Sequence, residues 1–337
     1  MHRLPRWGRS PRALLWGAVL LAACRVYAGA PETPAPAASL ADDPFAALVR
    51  QLRADPKAHT YLDLSLAVAR EIYPELDAER ERGIRGAFER HAKALKEDLA
   101  AAATPRARIE AANRLLYQKL QLRTALDLKP EEEHPDQYFP HAVLERKQGV
   151  CLGLSLVYLC LAEASGLPVY PVHAPQHIFL RYDDGETKLN LEATLRGRIF
   201  TEDEFRNWHK LPDDALRGGD YFRTLGKLEA LGDLFNAVAW CSAIKTAERK
   251  LPPEKAVLSA RLCVEIGPDN YNNWDTLAEA YAYAGRHVEA LEALHKAIAM
   301  RPPDMGAYNK EYWQRRLERF AKAVPAPKTP PEPVAAP

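Results

Sequence analysis

One segment of the chain alternates between apolar and polar residues, and it lies between two long stretches of helical periodicity. Residues 176–182 (QHIFLRY) and 187–193 (TKLNLEA) are separated by residues 183–186 (DDGE). A two-residue period is typical of a strand with one buried face, and Asp-Gly is a preferred hairpin turn. Before residue 123 and after residue 200, apolar residues recur at spacings of three and four. The pattern predicts an α+β fold with a small sheet among helices.

Composition excludes several classes of protein. Hydrophobic residues make up 47% of the 337 residues and charged residues 27%, which excludes a mainly disordered or multi-span membrane chain. The 46 Lys and Arg nearly balance the 45 Asp and Glu, and no basic stripe with interleaved aromatic residues is present. We therefore expect no nucleic-acid partner.

The N-terminus has the pattern of an export signal. Four arginines in the first twelve residues precede an apolar run over 13–23, which is too short to span a bilayer as a mature helix. The following residues, Leu-Ala-Ala-Cys24, resemble the lipobox of bacterial lipoproteins, which implies cleavage before Cys24 and lipidation of its sulfur. The alternative is cleavage after Ala28. Either way, residues 1–28 are predicted to contain a signal peptide, so the protein is exported.

The two cleavage alternatives predict different locations. Lipidation of Cys24 would anchor the chain to a membrane, and Arg25 in place of Asp favours the periplasmic side of the outer membrane. Cleavage after Ala28 would leave a soluble periplasmic protein. The Pro- and Ala-rich residues 29–42 are predicted to form an extended tether in the first case.

The rest of the chain divides into four predicted parts. Residues 43–130 form a helical region, and residues 131–225 form the mixed core that contains the strands. Residues 230–322 are helical again, and the Pro-rich residues 323–337 are predicted to be disordered.

Cys151 is the cysteine whose position favours reactivity. It follows Gly149-Val150 and begins an apolar run with helical spacing that stops at Gly166. The positive end of a helix dipole stabilises a thiolate and makes the sulfur nucleophilic. The other cysteines form no C-x-x-C pair, so neither a zinc knuckle nor a dense disulfide framework is predicted.

The hairpin supplies a candidate base and its partner. A two-residue loop at Asp184-Gly185 would pair His177 directly with Glu192, and Phe179 with Asn190, all on one face. A carboxylate beside an imidazole fixes its tautomer, and the imidazole can then accept a proton from a thiol. Cys151, His177 and Glu192 are thus candidate catalytic residues, with Phe179 and Asn190 as possible site-lining residues.

A metal site is the alternative interpretation. If His173 and His177 lay on one continuous strand, they could join Glu192 and Cys151 as ligands of a zinc ion. Pro175 between the histidines argues against a continuous strand, and His-x₃-His is usually a helical zinc motif. Our prediction names no metal and no cofactor.

These motifs together resemble the transglutaminase-like superfamily of papain-type enzymes over about residues 141–200. The resemblance implies that Cys151 is the nucleophile, His177 the base and Glu192 the third member, where the superfamily usually has Asp. It also suggests Gln148 as a possible oxyanion donor beside the backbone N–H of Cys151. The residues before and after Cys151 are most similar to the SirB-type branch. The family implies a cysteine peptidase or transglutaminase-like hydrolase that acts on a peptide or an envelope component.

The C-terminal helical region resembles tetratricopeptide repeats with a period of 34 residues. Trp274, Ala278, Tyr281 and Pro302 occupy the expected positions of one repeat, and a weaker copy precedes it. Such repeats could bind a protein partner in a groove or could buttress the core. They also support a rival function, in which a non-catalytic scaffold mediates protein–protein interaction.

Overall fold

The computed structural model describes residues 43–125, 134–174, 176–209, 221–244, 249–301 and 310–324. The predicted signal peptide, Cys24 and the tether lie outside these residues, as does the predicted tail from residue 325 onward. Among the described helices, none combines the length and the apolar character needed to cross a membrane.

Four helices precede the first strand of the described chain. Thr60 begins the second of them with a capping box, because its hydroxyl accepts from the N–H of Asp63 and its own N–H donates to the Asp63 carboxylate. Thr104 caps the fourth helix, whose first residue is Pro105. The helices are α1 (Pro44–Ala54), α2 (Tyr61–Ala69), α3 (Ala78–Ala100) and α4 (Pro105–Asn113), and α4 continues into a π-helical turn, Arg114–Lys119.

The central part of the chain contains the sheet. Strands β1 (Arg123–Thr124) and β2 (Gln148–Gly149) form a short parallel pair. Four antiparallel strands follow in the order β3-β4-β5-β6. They are β3 (Val169–Ala174), β4 (His177–Asp183), β5 (Lys188–Glu192) and β6 (Arg198–Phe200). The predicted mixture of helix and sheet is confirmed.

Helices cover both faces of the four-stranded sheet. Helix α6 (Cys151–Ser165) is apolar on all sides, and it packs between the sheet and the N-terminal helix α3. Burial of each leucine side chain in α6 contributes about 1.5–3 kcal/mol to the free energy of unfolding. An aromatic cluster, which includes Phe205 of α7 (Glu202–His209), covers the other face around Phe179. Two further short helices, α5 (Pro140–Arg146) and the 3₁₀ turn Pro135–Gln137, precede α6.

Five helices complete the described chain and pack successively against one another. Helix α8 also contacts α1 and α2, which joins the C-terminal helices to the rest of the molecule. They are α8 (Lys227–Ile244), α9 (Pro253–Ile266), α10 (Tyr271–Tyr283), α11 (His287–Met300) and α12 (Lys310–Ala323).

Candidate active site

Cys151 is the first residue of α6, and a close backbone approach holds it there. The N–H of Val150 donates to the carbonyl oxygen of Gln137 at 3.3 Å. A Cβ atom on Gly153 would lie 2.0 Å from the same oxygen, so this position requires glycine. Val150 provides no side-chain cap for the helix, and Cys151 is partly exposed. The positive end of α6 therefore faces a sulfur atom that reagents can reach.

His177 lies between Cys151 and Glu192 and is hydrogen-bonded to both. Its Nε2 atom is 2.7 Å from Oε2 of Glu192, and a second side-chain hydrogen bond joins it to Cys151. Because an ionised carboxylate only accepts, Nε2 carries the proton in the bond to Glu192. Nδ1 is then the ring nitrogen that remains for the sulfur, which gives the geometry of a nucleophile, a base and a residue that orients the base.

Glu192 is completely buried, and both of its oxygens are occupied. Oε1 accepts from the backbone N–H of Thr194 at 2.8 Å and from the Thr194 hydroxyl, while Oε2 accepts from His177. Burial alone would raise the pKa of Glu192, but the hydrogen bonds from His177 and Thr194 hold it below its ordinary value. Glu192 is consequently a fixed negative charge at neutral pH.

The same contacts control the protonation of His177. Burial would lower its pKa, but the hydrogen bonds and negative charges of Cys151 and Glu192 outweigh this effect and raise the pKa to about 10. The arrangement therefore favours a protonated imidazolium at His177, beside the ionised carboxylate of Glu192, at neutral pH.

The hairpin differs from the predicted register by two residues. Asp183 pairs with Lys188 rather than with Glu186, so the loop contains four residues instead of two. The Asp184 carboxylate accounts for this difference, because it accepts from the N–H groups of Glu186 and Thr187. The predicted direct pairing of His177 with Glu192 is therefore wrong. A shift of two residues keeps every side chain on its face, so the two side chains still meet.

Three residues that were predicted to lie near the site do not line the cavity that opens beside Cys151. Phe179 is completely buried and stacks on Phe205, with ring centroids 4.2 Å apart. Asn190 is buried and accepts from Nε of Arg181 at 2.9 Å. Gln148 lies in β2, which pairs with β1, and its side chain does not line the cavity beside Cys151. The structure thus places Phe179, Asn190 and Gln148 outside that cavity.

His173 and His177 lie on different strands, which removes the geometry that the zinc alternative required. Ala174 pairs with His177, and His173 pairs with Ile178, so the two histidines are on opposite faces of the hairpin. Within the described part of the chain, no three His, Cys, Asp or Glu side chains are grouped as metal ligands.

Trp208 is a residue of the site that the sequence analysis missed. Its ring lies edge-on to His177, with centroids 6.2 Å apart, and stacks on Phe200. The side chain is 47% exposed although it belongs to an aromatic cluster. The spacing of Phe205 and Trp208 indicates one face of a helix, but nothing local to the sequence shows that this face lies beside His177.

A cavity of about 610 Å³ opens beside Cys151 and His177. Its walls come both from the core and from the C-terminal helices α8, α10 and α12. Residues from the C-terminal helices include Asp233, Trp240, Asn273, Glu279 and Arg316. The thiol therefore faces a cleft large enough for several residues of a peptide.

Comparisons with known proteins found similarity to curated relatives, to a solved structure and to a family model. Mouse and human F-box only protein 21 are each 30% identical over 84 residues, and the orangutan (Pongo abelii) protein is 32% identical over 89 residues. The matched segments cover 25% of this chain but only 13% of each relative. A crystal structure of menin is 11% identical, covers 82% of this chain and 74% of that chain, and has a TM-score of 0.42. Residues 83–217, which include Cys151, His177 and Glu192, match the model of the Transglutaminase-like superfamily, so the chain contains a transglutaminase-like domain.

Proposed function

We propose that the protein catalyses thiol-dependent acyl transfer at an amide bond of a peptide or an envelope component. The observation that carries this proposal is the hydrogen-bonded series Cys151–His177–Glu192 at the edge of a cavity. The match of residues 83–217 to the Transglutaminase-like superfamily supports this chemistry.

The first half of the reaction forms a thioester. The Cys151 thiolate attacks the carbonyl carbon, and the uncapped N–H groups in the first turn of α6 stabilise the developing oxyanion. His177, as the imidazolium, donates its proton to the leaving nitrogen. The carbon–nitrogen bond then breaks, which releases an amine and leaves the acyl group on Cys151 and a neutral imidazole at His177.

The second half regenerates the enzyme. Neutral His177 removes a proton from water or from an acceptor amine, which attacks the thioester carbon. The carbon–sulfur bond breaks, and the thiolate leaves beside the newly formed imidazolium. Glu192 keeps its charge throughout, so its role is to orient and stabilise His177. Water gives hydrolysis, and an amine gives transfer.

Alkylation across pH tests the proposal directly. We expect iodoacetamide to modify Cys151 with a rate that stays high below pH 7, because a thiolate is the reacting species. Cys160, Cys241 and Cys263 are buried and serve as internal controls that should react only after denaturation. A rate that follows an ordinary thiol, with a midpoint near pH 8.5, would contradict the proposal. In that case the non-catalytic scaffold becomes the better function.

Two finer assignments accompany this proposal. We assign the domain to the SirB-type branch on the residues around Cys151, with Glu192 in place of the usual Asp. We also propose that α8–α11 are tetratricopeptide repeats, which grafting onto a consensus array would test. Helices α9 and α11 support the repeat, since Pro253 and His287 begin them, and Ile266 and Met300 end them, each time 34 residues apart.

Export and lipid anchoring remain part of the proposal, on the evidence of residues 1–28. We expect mass spectrometry of the mature protein to find a lipidated Cys24 and the protein to partition with membranes of the cell envelope. A free N-terminus at Gly29 would contradict the anchor and favour the soluble periplasmic form.

A further inference from the structure

The cavity contains a second histidine–carboxylate pair that the proposed reaction does not use. Nε2 of His173, in β3, is 2.9 Å from both carboxylate oxygens of Asp233, in α8. The two side chains are 16% and 21% exposed, and both line the cavity that contains Cys151. His173 lies on the opposite face of the hairpin from His177, so it does not belong to the Cys151–His177–Glu192 series.

The charge of Asp233 is compensated differently from those of the other acids in the cavity. Asp275 is paired with Arg316, and Glu279 is paired with Arg316 and Arg319, so permanent cations offset both. Asp233 instead faces a histidine, which carries no charge in its neutral form. The cavity wall at Asp233 is therefore anionic whenever His173 is neutral.

Neighbouring groups on α8 suit an ammonium ion. Asp233, Asn236, Ala237 and Trp240 recur at helical spacing and all line the cavity. The Asp233 carboxylate can accept from a primary ammonium, and the Asn236 oxygen, which already accepts from the Thr276 hydroxyl at 2.9 Å, keeps a second lone pair for it. An indole ring attracts a cation. Together they provide a charged, a polar and an aromatic contact along one helix face.

We propose that His173 and Asp233, with this face of α8, form a subsite for a primary ammonium group of the substrate. The substrate would then be a peptide with a lysine-like side chain or free amino group near the acyl group that reaches Cys151. This inference rests on the proposed function, because it takes Cys151 as the reacting group.

Charged thiol reagents test the subsite without knowledge of the natural substrate. The probes are aminoethyl methanethiosulfonate, which is cationic, and sulfonatoethyl methanethiosulfonate, which is anionic, with the neutral methyl reagent as reference. Modification of Cys151 is followed by mass spectrometry. The ratio of the modification rate with the cationic reagent to the rate with the anionic reagent reports the electrostatic potential near the sulfur. Both rates are proportional to the fraction of Cys151 that is a thiolate, so a change in that fraction cancels in the ratio.

We expect a ratio above that of a free thiol, and Asp233→Asn should lower it by roughly three- to tenfold. His173→Gln keeps the carboxylate and should preserve or increase the ratio. Asp269→Asn makes the same change in net charge at an exposed position outside the cavity and should have little effect. An unchanged ratio in Asp233→Asn would overturn the subsite, whereas an ordinary thiol rate with the neutral reagent would instead contradict the proposed function.

Peptide binding supplies the second measurement. Fluorescence anisotropy with Cys151→Ala compares labelled pentapeptides that carry lysine, acetyl-lysine or glutamate at the central position. We expect the lysine peptide to bind most tightly and Asp233→Asn to remove its advantage over acetyl-lysine. Equal affinities, tighter binding of the glutamate peptide, or no binding at millimolar concentration would each overturn the proposal.

Discussion

Replacement of Glu192 by glutamine separates the charge of this residue from its shape. In the protein, Oε1 accepts from the backbone N–H of Thr194, which is a fixed donor. The glutamine must therefore direct its oxygen toward Thr194 and its NH₂ group toward His177. An NH₂ group donates, so Nε2 of His177 becomes an acceptor and the proton moves to Nδ1. That tautomer cannot accept the proton of Cys151.

The substitution weakens the thiolate–imidazolium pair, because it removes both the hydrogen bond from His177 to Glu192 and the negative charge of Glu192. A hydrogen bond to a charged group contributes about 1.5–3 kcal/mol, and every 1.36 kcal/mol changes an equilibrium tenfold. The thiolate–imidazolium pair should therefore be about 10- to 100-fold less favoured in Glu192→Gln. The assay is the rate of Cys151 alkylation by iodoacetamide at pH 6. An unaltered rate in a folded Glu192→Gln protein would refute the proposed role of Glu192.

Glu192→Gln should also change how the free energy of unfolding depends on pH. The pKa of Glu192 is lowered in the folded protein, so its contribution to the free energy of unfolding is present above its ordinary pKa near 4.5 and is lost as pH falls through the lowered value. The pKa of His177 is raised, so its contribution is complete below pH 6.5 and is lost as pH rises toward about 10. Urea unfolding should show the largest difference between the wild type and Glu192→Gln at about pH 5–6.5. A difference independent of pH from 3 to 10 would contradict this linkage.

Two further substitutions test residues that hold the site. Thr194→Val removes the hydroxyl donor to Glu192 and should slow Cys151 alkylation by roughly three- to tenfold, whereas Thr194→Ser should preserve the rate; equal rates in both variants would contradict a positioning role. Gly153→Ala places a Cβ atom against the Gln137 carbonyl and should lower the free energy of unfolding by about 2 kcal/mol or more. Gly83→Ala is its control, because no atom outside the adjoining helix backbone lies within 4 Å of that Cβ, and it should stabilise the helix by about 0.5–1 kcal/mol in urea unfolding. Equal stabilities of the two alanine variants would contradict the steric argument.

Local patterns in the sequence determined much of this site. The apolar run after Val150 places Cys151 at a helix N-terminus, because a helix must begin where its periodicity begins. The two-residue alternation determines which side chains share a face, and this result survives the change in register because the shift is an even number of residues. The alternation therefore predicted the contact between His177 and Glu192, although the predicted cross-strand pairing of the hairpin was wrong.

The tertiary structure decided the features that depend on residues distant in sequence. The register depends on how the Asp184 carboxylate bonds within its turn, and the complete burial of Glu192 depends on packing by other elements. The pairing of His173 with Asp233 joins residues 60 positions apart, and no local period encodes such a contact. The cavity exists only because α8, α10 and α12 pack beside the core. Periodicity specifies which surface an element buries, whereas the partner of that surface is selected by the packing of the whole chain.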